Sequence, residues 1–248
     1  AFAVVRVETV ERGLEIADGL VRGGVPAMEI SYTNANAGDV IAAVKAKYGD
    51  KMCVGAGTVM EAATARLAIM SGAEFVVANM ESEEVARVCN LYQVPYAPGC
   101  TTMTEANKGL EMGAAFIKCF PISNTYGVQL VKLFKTPTPW MPLMASGGIN
   151  LDNLAEWVRA GVDTCGMGSL LTKGSADDIA KNAAEVRRII DEIRAKMAEI
   201  ERGDARDGKT GAEFSIGAGL PASRAQTSDP TGSEVISAGT NGVFGHAE

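Results

Sequence analysis

Eight short apolar runs, each bounded by Gly, Pro or Asn, recur along the chain a little over 20 residues apart: AVVR (3–6), AMEIS (27–31), CVGAGT (53–58), FVVAN (75–79), YAPG (96–99), FIKCF (116–120), LMASGG (143–148) and TCGMGS (164–169). Between them lie stretches with helical periodicity, among them ETVERGLEIADGLVRGG, AATARLAIMSGA, EEVARVCNLYQ, TEANKGLEMGA and NLAEWVRAGV. Strands that alternate with helices at this spacing pair in parallel, because a parallel neighbour is reached only through a crossover. Eight such units predict an α/β fold, a (β/α)8 TIM barrel of eight parallel strands. The competing fold is an open doubly wound sheet, but GAGTV after the third run lacks the third glycine of the dinucleotide-binding fingerprint GxGxxG. A chain of 248 residues can form one such barrel undivided.

The last helix is expected to start at Ser175, whose hydroxyl can cap it while Asp177 and Asp178 favour the positive helix end. Its apolar face runs through Ile179, Val186, Ile190, Ile193 and Met197 to about Gly203. Beyond it the composition changes to Gly, Ser, Thr and Ala, so residues 1–203 are read as the barrel domain and 204–248 as a Gly/Ser-rich C-terminal extension without an assigned role. Composition alone describes a flexible extension. The alternative is that it docks as an arm on the barrel or on a neighbouring subunit, for VISAGTNGVF places Asn-Gly between short apolar runs, a hairpin signal. A barrel whose first run begins at residue 3 has no preceding element over its N-terminal end, unless the extension covers it or a leading helix precedes residue 1.

The net charge of −7 with scattered basic residues lacks the footprint of a nucleic-acid binder or a polybasic membrane anchor. No apolar run is long enough to span a bilayer and the first residues carry no signal core, so a cytoplasmic location and a small-molecule partner are expected. Five cysteines without CxxC spacing fit reduced thiols rather than a disulfide framework or a zinc site. The single histidine, His246, lies at the far end of the extension, which removes most His-dependent triads and any HExxH metal site. Chemistry in the barrel must then use lysine, carboxylates, hydroxyls or backbone groups, with no metal.

Lys118 stands inside the sixth run, between Ile117 and Cys119. Burying an ammonium is costly, and a desolvated lysine has its pKa lowered toward the free amine that attacks carbonyls to form a Schiff base. A structural lysine paired with a carboxylate is the other reading. Glu29, between Met28 and Ile30 on the second run, repeats the anomaly; it could pair with Lys118 or move protons for it. Two glycine-rich turns, SGGIN (146–150) and GMGSLLT (166–172), follow the seventh and eighth runs, where barrels often cradle a phosphate on backbone N–H groups.

GVPAMEIS, VGAGTV, PYAPGCTT, FIKCFP, SGGINLDNLAEWVRAGV and GMGSLL, in this order, resemble the bacterial 2-keto-3-deoxy-6-phosphogluconate (KDPG) aldolases, which overlap with the 4-hydroxy-2-oxoglutarate aldolases. The resemblance covers about residues 3–200. It implies a homotrimeric class I aldolase that cleaves KDPG to pyruvate and glyceraldehyde 3-phosphate, with no cofactor beyond the covalent Schiff base. By motif, Lys118 would form that Schiff base and Glu29 would be the general acid/base. Arg6 and Thr58 would lie by the pyruvate carboxylate, Phe120 would pack near the pyruvyl unit, and Ser146, Gly147, Gly148 and Ser169 would hold the phosphate. The chain departs from the pattern at Thr33, where some members carry Arg, at Ala145–Ser146 in place of Pro-Thr, and at Ala78–Asn79 in place of Ser-Pro. Two other readings stand beside this one. The first is a relative acting on 4-hydroxy-2-oxoglutarate or on the galactonate stereoisomer; the second is a barrel scaffold whose extension mediates assembly.

Overall fold

A computed structural model describes residues 1–206; the extension, with the hairpin and docking arm expected there, lies outside the described residues. The strands are β1 (Phe2–Val5), β2 (Ala27–Ser31), β3 (Cys53–Gly57), β4 (Val76–Val77), β5 (Tyr96–Ala97), β6 (Gly99–Cys100), β7 (Ile117–Cys119), β8 (Leu143–Ser146) and β9 (Thr164–Met167). The helices are α1 (Val10–Arg22), α2 (Ala37–Tyr48), α3 (Ala62–Met70), α4 (Glu83–Tyr92), α5 (Met103–Glu111), α6 (Ser123–Tyr126), α7 (Gln129–Lys135), α8 (Leu154–Arg159), α9 (Ser169–Thr172) and α10 (Ala176–Arg206). The last helix therefore runs a few residues past the end expected from its apolar face.

All strands are parallel, in the order β5-β4-β3-β2-β1-β9-β8-β7-β6. The two ends of that order, β5 and β6, are consecutive in the chain and separated by Pro98 alone. Proline has no N–H to give to a ladder, so the strand assignment breaks there. The backbone on either side still bonds outward in both directions: Ala78 N–H donates to the Ala97 carbonyl (3.0 Å) and Lys118 N–H to the Pro98 carbonyl (2.9 Å). The result is a parallel, nearly closed barrel of nine strand segments, in which the fifth predicted run is divided at its proline.

Alternation along each strand sends one set of side chains outward to the helices and the other into the lumen. Ala3, Val5, Met28, Ile30, Val54, Ala56, Ile117, Leu143 and Met167 join the large core beneath the helices. A second, smaller core fills the lumen near the N-terminal end: Phe2, Val77, Ala97 and Met144, with Val4, Ala27, Phe75 and Phe116 against them. Within this smaller core Phe2 and Phe75 meet edge to face, ring centroids 6.1 Å apart. Further along the same inward rows the residues turn polar, to Glu29, Ser31, Lys118 and Ser146.

Local signals start the helices where the sequence places them. Thr9 caps α1 by accepting from Arg12 N–H (3.2 Å), Thr102 and Glu105 form a reciprocal capping box on α5, and Ser175 accepts from Asp178 N–H (3.3 Å) at the start of α10. The ring of helices closes where α10 crosses α1. Gly19 lies on the Ala176 carbonyl and Ile179, and Gly23 on Ala183 and the Ala180 carbonyl, with no room for a Cβ at either position. Substituting Gly19→Val forces a side chain into this crossing, and overpacking of this kind costs about 1–3 kcal/mol. The urea midpoint is expected to fall accordingly, while Lys196→Arg on the exposed face of α10 leaves it in place.

Candidate active site

Lys118 belongs to β7, opposite Gly99 on one side and Met144 on the other. Because Ile117 and Cys119 point outward into the large core, alternation turns Lys118 into the lumen, where it is 6% exposed. Its Nζ lies 5.0 Å from the centre of the Phe120 ring. Glu29 reaches the same lumen from β2 and is 1% exposed. The space it occupies is left by Gly57 of β3: a Cβ there would fall on the Glu29 carboxylate. Glycine in GAGTV is thus the complement of the buried glutamate.

Among the described residues neither side chain closes a direct ion pair, and Glu29 Oε2 is buried without a hydrogen-bond partner. Burial pushes the Lys118 ammonium below its ordinary pKa; nearby Glu29 opposes the shift and Arg6 adds to it. Burial raises the Glu29 carboxyl, with Lys118 and Arg6 opposing. Desolvation is the leading cause for both, so burial disfavours the charged form of each group.

Arg6 follows β1 on the inward row of Phe2 and Val4 and is exposed, and its charge acts on both buried groups. Thr58, just past β3, has a left-handed backbone (φ 57°) and its Oγ1 lies 2.9 Å from Ser31 Oγ. Ser31 Oγ in turn lies 3.1 Å from Thr33 Oγ1. On the opposite side of the mouth, Ser146 ends β8 and is followed by Gly147 (φ 94°) and Gly148 (φ 72°), conformations that glycine adopts without steric cost. Ser123 of α6 donates to the Ser146 carbonyl, and Asn124 lies against both glycines, with its Nδ2 3.2 Å from where a Cβ on Gly147 would stand. Asn153 Nδ2 holds the Gly148 carbonyl from the other side (2.9 Å). Ser169 opens α9, exposed, after β9. No hydrogen bond among the described residues joins it to the Gly147–Gly148 turn.

Lys118, Glu29 and Arg6 are thus brought into one field, Phe120 stands beside the lysine, and Thr58 stands beside the Glu29 strand through Ser31. Ser31, Ser123 and Asn124 were not anticipated. Ser31 carried a signal, since it lies two residues after Glu29 and so shares its face of β2. Asn124 and Ser123 carried none, because only the fold brings α6 against the turn after β8.

The family model for KDPG and KHG aldolases matches residues 1–189. The chain belongs to that family. It is 34% identical over 187 residues to the 2-dehydro-3-deoxy-6-phosphogalactonate aldolase of Escherichia coli K12, which covers 74% of this chain and 90% of the relative. It is equally 34% identical over 155 residues to the 2-dehydro-3-deoxy-phosphogluconate aldolase of Treponema pallidum, covering 62% of this chain and 73% of the relative. Among solved structures, one titled native KDPGal structure superposes with a TM-score of 0.74 at 32% identity, covering 78% of this chain and 95% of the other. The protein is therefore an aldolase, a carbon–carbon lyase.

The charges around Lys118 make a signed prediction for this aldolase. Glu29 raises the lysine's pKa and Arg6 lowers it. In Glu29→Gln the pH at which Lys118 becomes half-reactive toward a small acylating reagent is expected to move to lower pH; in Arg6→Met it is expected to move to higher pH. Peptide mass spectrometry across a pH series reads both shifts, and movement in the same direction would contradict the arrangement.

Proposed function

We propose that this aldolase is a class I enzyme that cleaves KDPG to pyruvate and glyceraldehyde 3-phosphate through a Schiff base on Lys118. The observation that carries the reading is a buried lysine with a lowered pKa facing a buried glutamate with a raised one. A structural ion pair would lower the carboxyl and raise the amine; burial here does the reverse.

In this reading the neutral Lys118 amine attacks the C2 carbonyl and forms a carbinolamine. Glu29, protonated, donates to the departing hydroxyl; water leaves and a protonated imine remains. Glu29, now a carboxylate, removes the proton of the C4 hydroxyl. The C3–C4 bond breaks, its electron pair flows into the imine as an enamine, and the aldehyde departs. The enamine takes a proton back at C3 from Glu29, and water releases pyruvate. The lumen's apolar floor keeps the amine desolvated between turnovers. Arg6 and Thr58 receive the keto-acid carboxylate, and Phe120 packs against the pyruvyl unit. Ser146, Gly147, Gly148 and Ser169 receive the phosphate through hydroxyls and backbone N–H groups. The reaction needs no metal, and the described residues hold no cluster of three or more potential metal ligands.

Reading β5 and β6 as one strand interrupted at Pro98 makes the architecture the eight-stranded (β/α)8 barrel. We take the assembly to be a homotrimer in the cytoplasm. Exposed Leu67 and Met70 of α3 and Leu91 of α4 supply apolar surface for a second copy, and no helix among the described residues is long and apolar enough to cross a membrane. Residues 1–203 would then be the catalytic domain. Deleting 204–248 is expected to leave cleavage intact, whereas a scaffold role for the barrel predicts loss of higher-order association only.

A second substrate has a specific observation behind it: the galactonate-type aldolase of E. coli matches the chain as well as the gluconate-type enzyme does. The two substrates differ in configuration at C4, the carbon whose hydroxyl loses its proton. Borohydride added with pyruvate is expected to leave a stable adduct on Lys118, absent in Lys118→Met, and cleavage in that variant should fall by about a thousandfold or more. Failure to trap the native protein would end the proposal. Rates on the two stereoisomers then assign the substrate.

A further inference from the structure

Thr58 is β-branched and holds φ at 57°, where a β-branched residue is a steric outlier. Such conformations persist where the surroundings over-determine them, and they gather at functional sites. Backbone bonds fix the chain on either side of it, from Tyr32 N–H to the Gly57 carbonyl (2.8 Å) and from Val59 N–H to the Val77 carbonyl (3.2 Å), and its side chain joins a chain of hydroxyls. Thr58 Oγ1 lies 2.9 Å from Ser31 Oγ, Ser31 Oγ 3.1 Å from Thr33 Oγ1, and Thr33 Oγ1 3.2 Å from Asn34 Oδ1, while Thr33 N–H donates weakly to Ser31 Oγ (3.5 Å).

Each hydroxyl has a single proton, so the direction of the chain is set at its end. With the Asn34 carbonyl oxygen facing it, Thr33 donates to Asn34 and must accept from Ser31. Ser31 must then accept from Thr58, and Thr58 is left with only lone pairs toward the mouth. A carboxylate needs the opposite. For Thr58 to donate to it, Ser31 must donate to Thr58, Thr33 to Ser31, and the Asn34 amide must turn its NH2 to Thr33. The amide makes both orders available, because its two ends differ in donor character but not in shape.

We propose that Ser31, Thr33 and Asn34 are positioning residues that set the direction of the Thr58 O–H, so that a reversible hydroxyl chain tunes this site for a keto-acid carboxylate. The inference rests on the Schiff-base reading above and deepens it. Recognition would then be shared between Arg6 and a relay of neutral donors that strengthen one another when aligned. Ser31 is fully buried, so losing its hydroxyl leaves Thr58 without the partner that orients it. Thr33 is exposed, and Thr33→Val removes one link with no change in shape.

The test compares borohydride trapping of Lys118 by pyruvate and by pyruvamide, which presents the same ketone without the carboxylate charge. Ser31→Ala is expected to raise the half-saturating pyruvate concentration about tenfold, the scale of one hydrogen bond to a charged group, and Thr33→Val about threefold. For pyruvamide both variants are expected to stay within about twofold of the native protein, since a neutral amide can accept or donate whichever way the chain runs. If pyruvate and pyruvamide curves shift together, or the pyruvate curves of both variants superimpose on the native one, the relay is overturned. Should Ser31→Ala not fold, Thr33→Val decides alone by the same comparison. Absence of trapping in the native protein would instead overturn the aldolase chemistry itself, and this inference with it.

Discussion

The structure depends on the burial of an amine opposite an acid that it does not touch. Lys118 and Glu29 lie in the lumen, each shifted by desolvation toward its neutral form, with Glu29 Oε2 lacking any hydrogen-bond partner. Leaving a buried polar atom unsatisfied is costly, and a fold selected only for stability would fill that space with an apolar side chain. Disfavouring charge on both groups while keeping them apart is what the proposed amine nucleophile requires. A closed ion pair would lock the lysine as an ammonium, and a wet pocket would restore its ordinary pKa.

The barrel supplies this environment by a division along its axis. Alternation makes every second strand residue a lumen residue, and the sequence gives successive lumen positions different characters. Phe2, Phe75, Phe116, Val77 and Met144 form a dry floor, and Glu29, Ser31, Lys118 and Ser146 lie on the same inward rows at or near the strand ends. Glycines do the complementary work. Gly57 yields its volume to Glu29 and Gly55 to the Phe75 ring. The spacing of apolar, glycine and polar residues on each strand therefore encodes the floor and the site together.

That is why the strands and the buried pair were legible in the sequence. A charge inside an otherwise apolar run marks a buried strand position, so Lys118 and Glu29 stood out in the sequence, while the face that carries them was decided only by the fold; the cap at Ser175 could be read locally. The break at Pro98 was also visible as a residue, although its consequence, two strand segments bonding in opposite directions, depends on where β4 and β7 lie. What could not be read was contact between elements distant in sequence. Asn124 rests on Gly147 and Gly148, and Ser123 on the Ser146 carbonyl, only because α6 folds back across the end of β8. Ser31 was readable by its spacing from Glu29, but a serine at a strand end carries no anomaly to draw notice.

The pair also shapes how stability depends on pH, and the signs differ for its two members. Lys118 titrates lower in the folded chain than in the unfolded one, so between those two values the unfolded chain binds more protons and stability rises with pH. Its cost is full below the folded pKa and vanishes above the ordinary lysine value of 10.5. Glu29 titrates higher in the folded chain; its cost is absent below the ordinary 4.5 and grows as pH rises from there to the folded value. Both costs overlap at neutral pH, between the two ordinary values. Near neutral pH the burial of this pair therefore costs the fold stability from both of its members. Hydrophobic burial in the two cores offsets that penalty, which ties the proposed catalytic role of the lumen to the packing of α1 against α10 and of the phenylalanines on its floor.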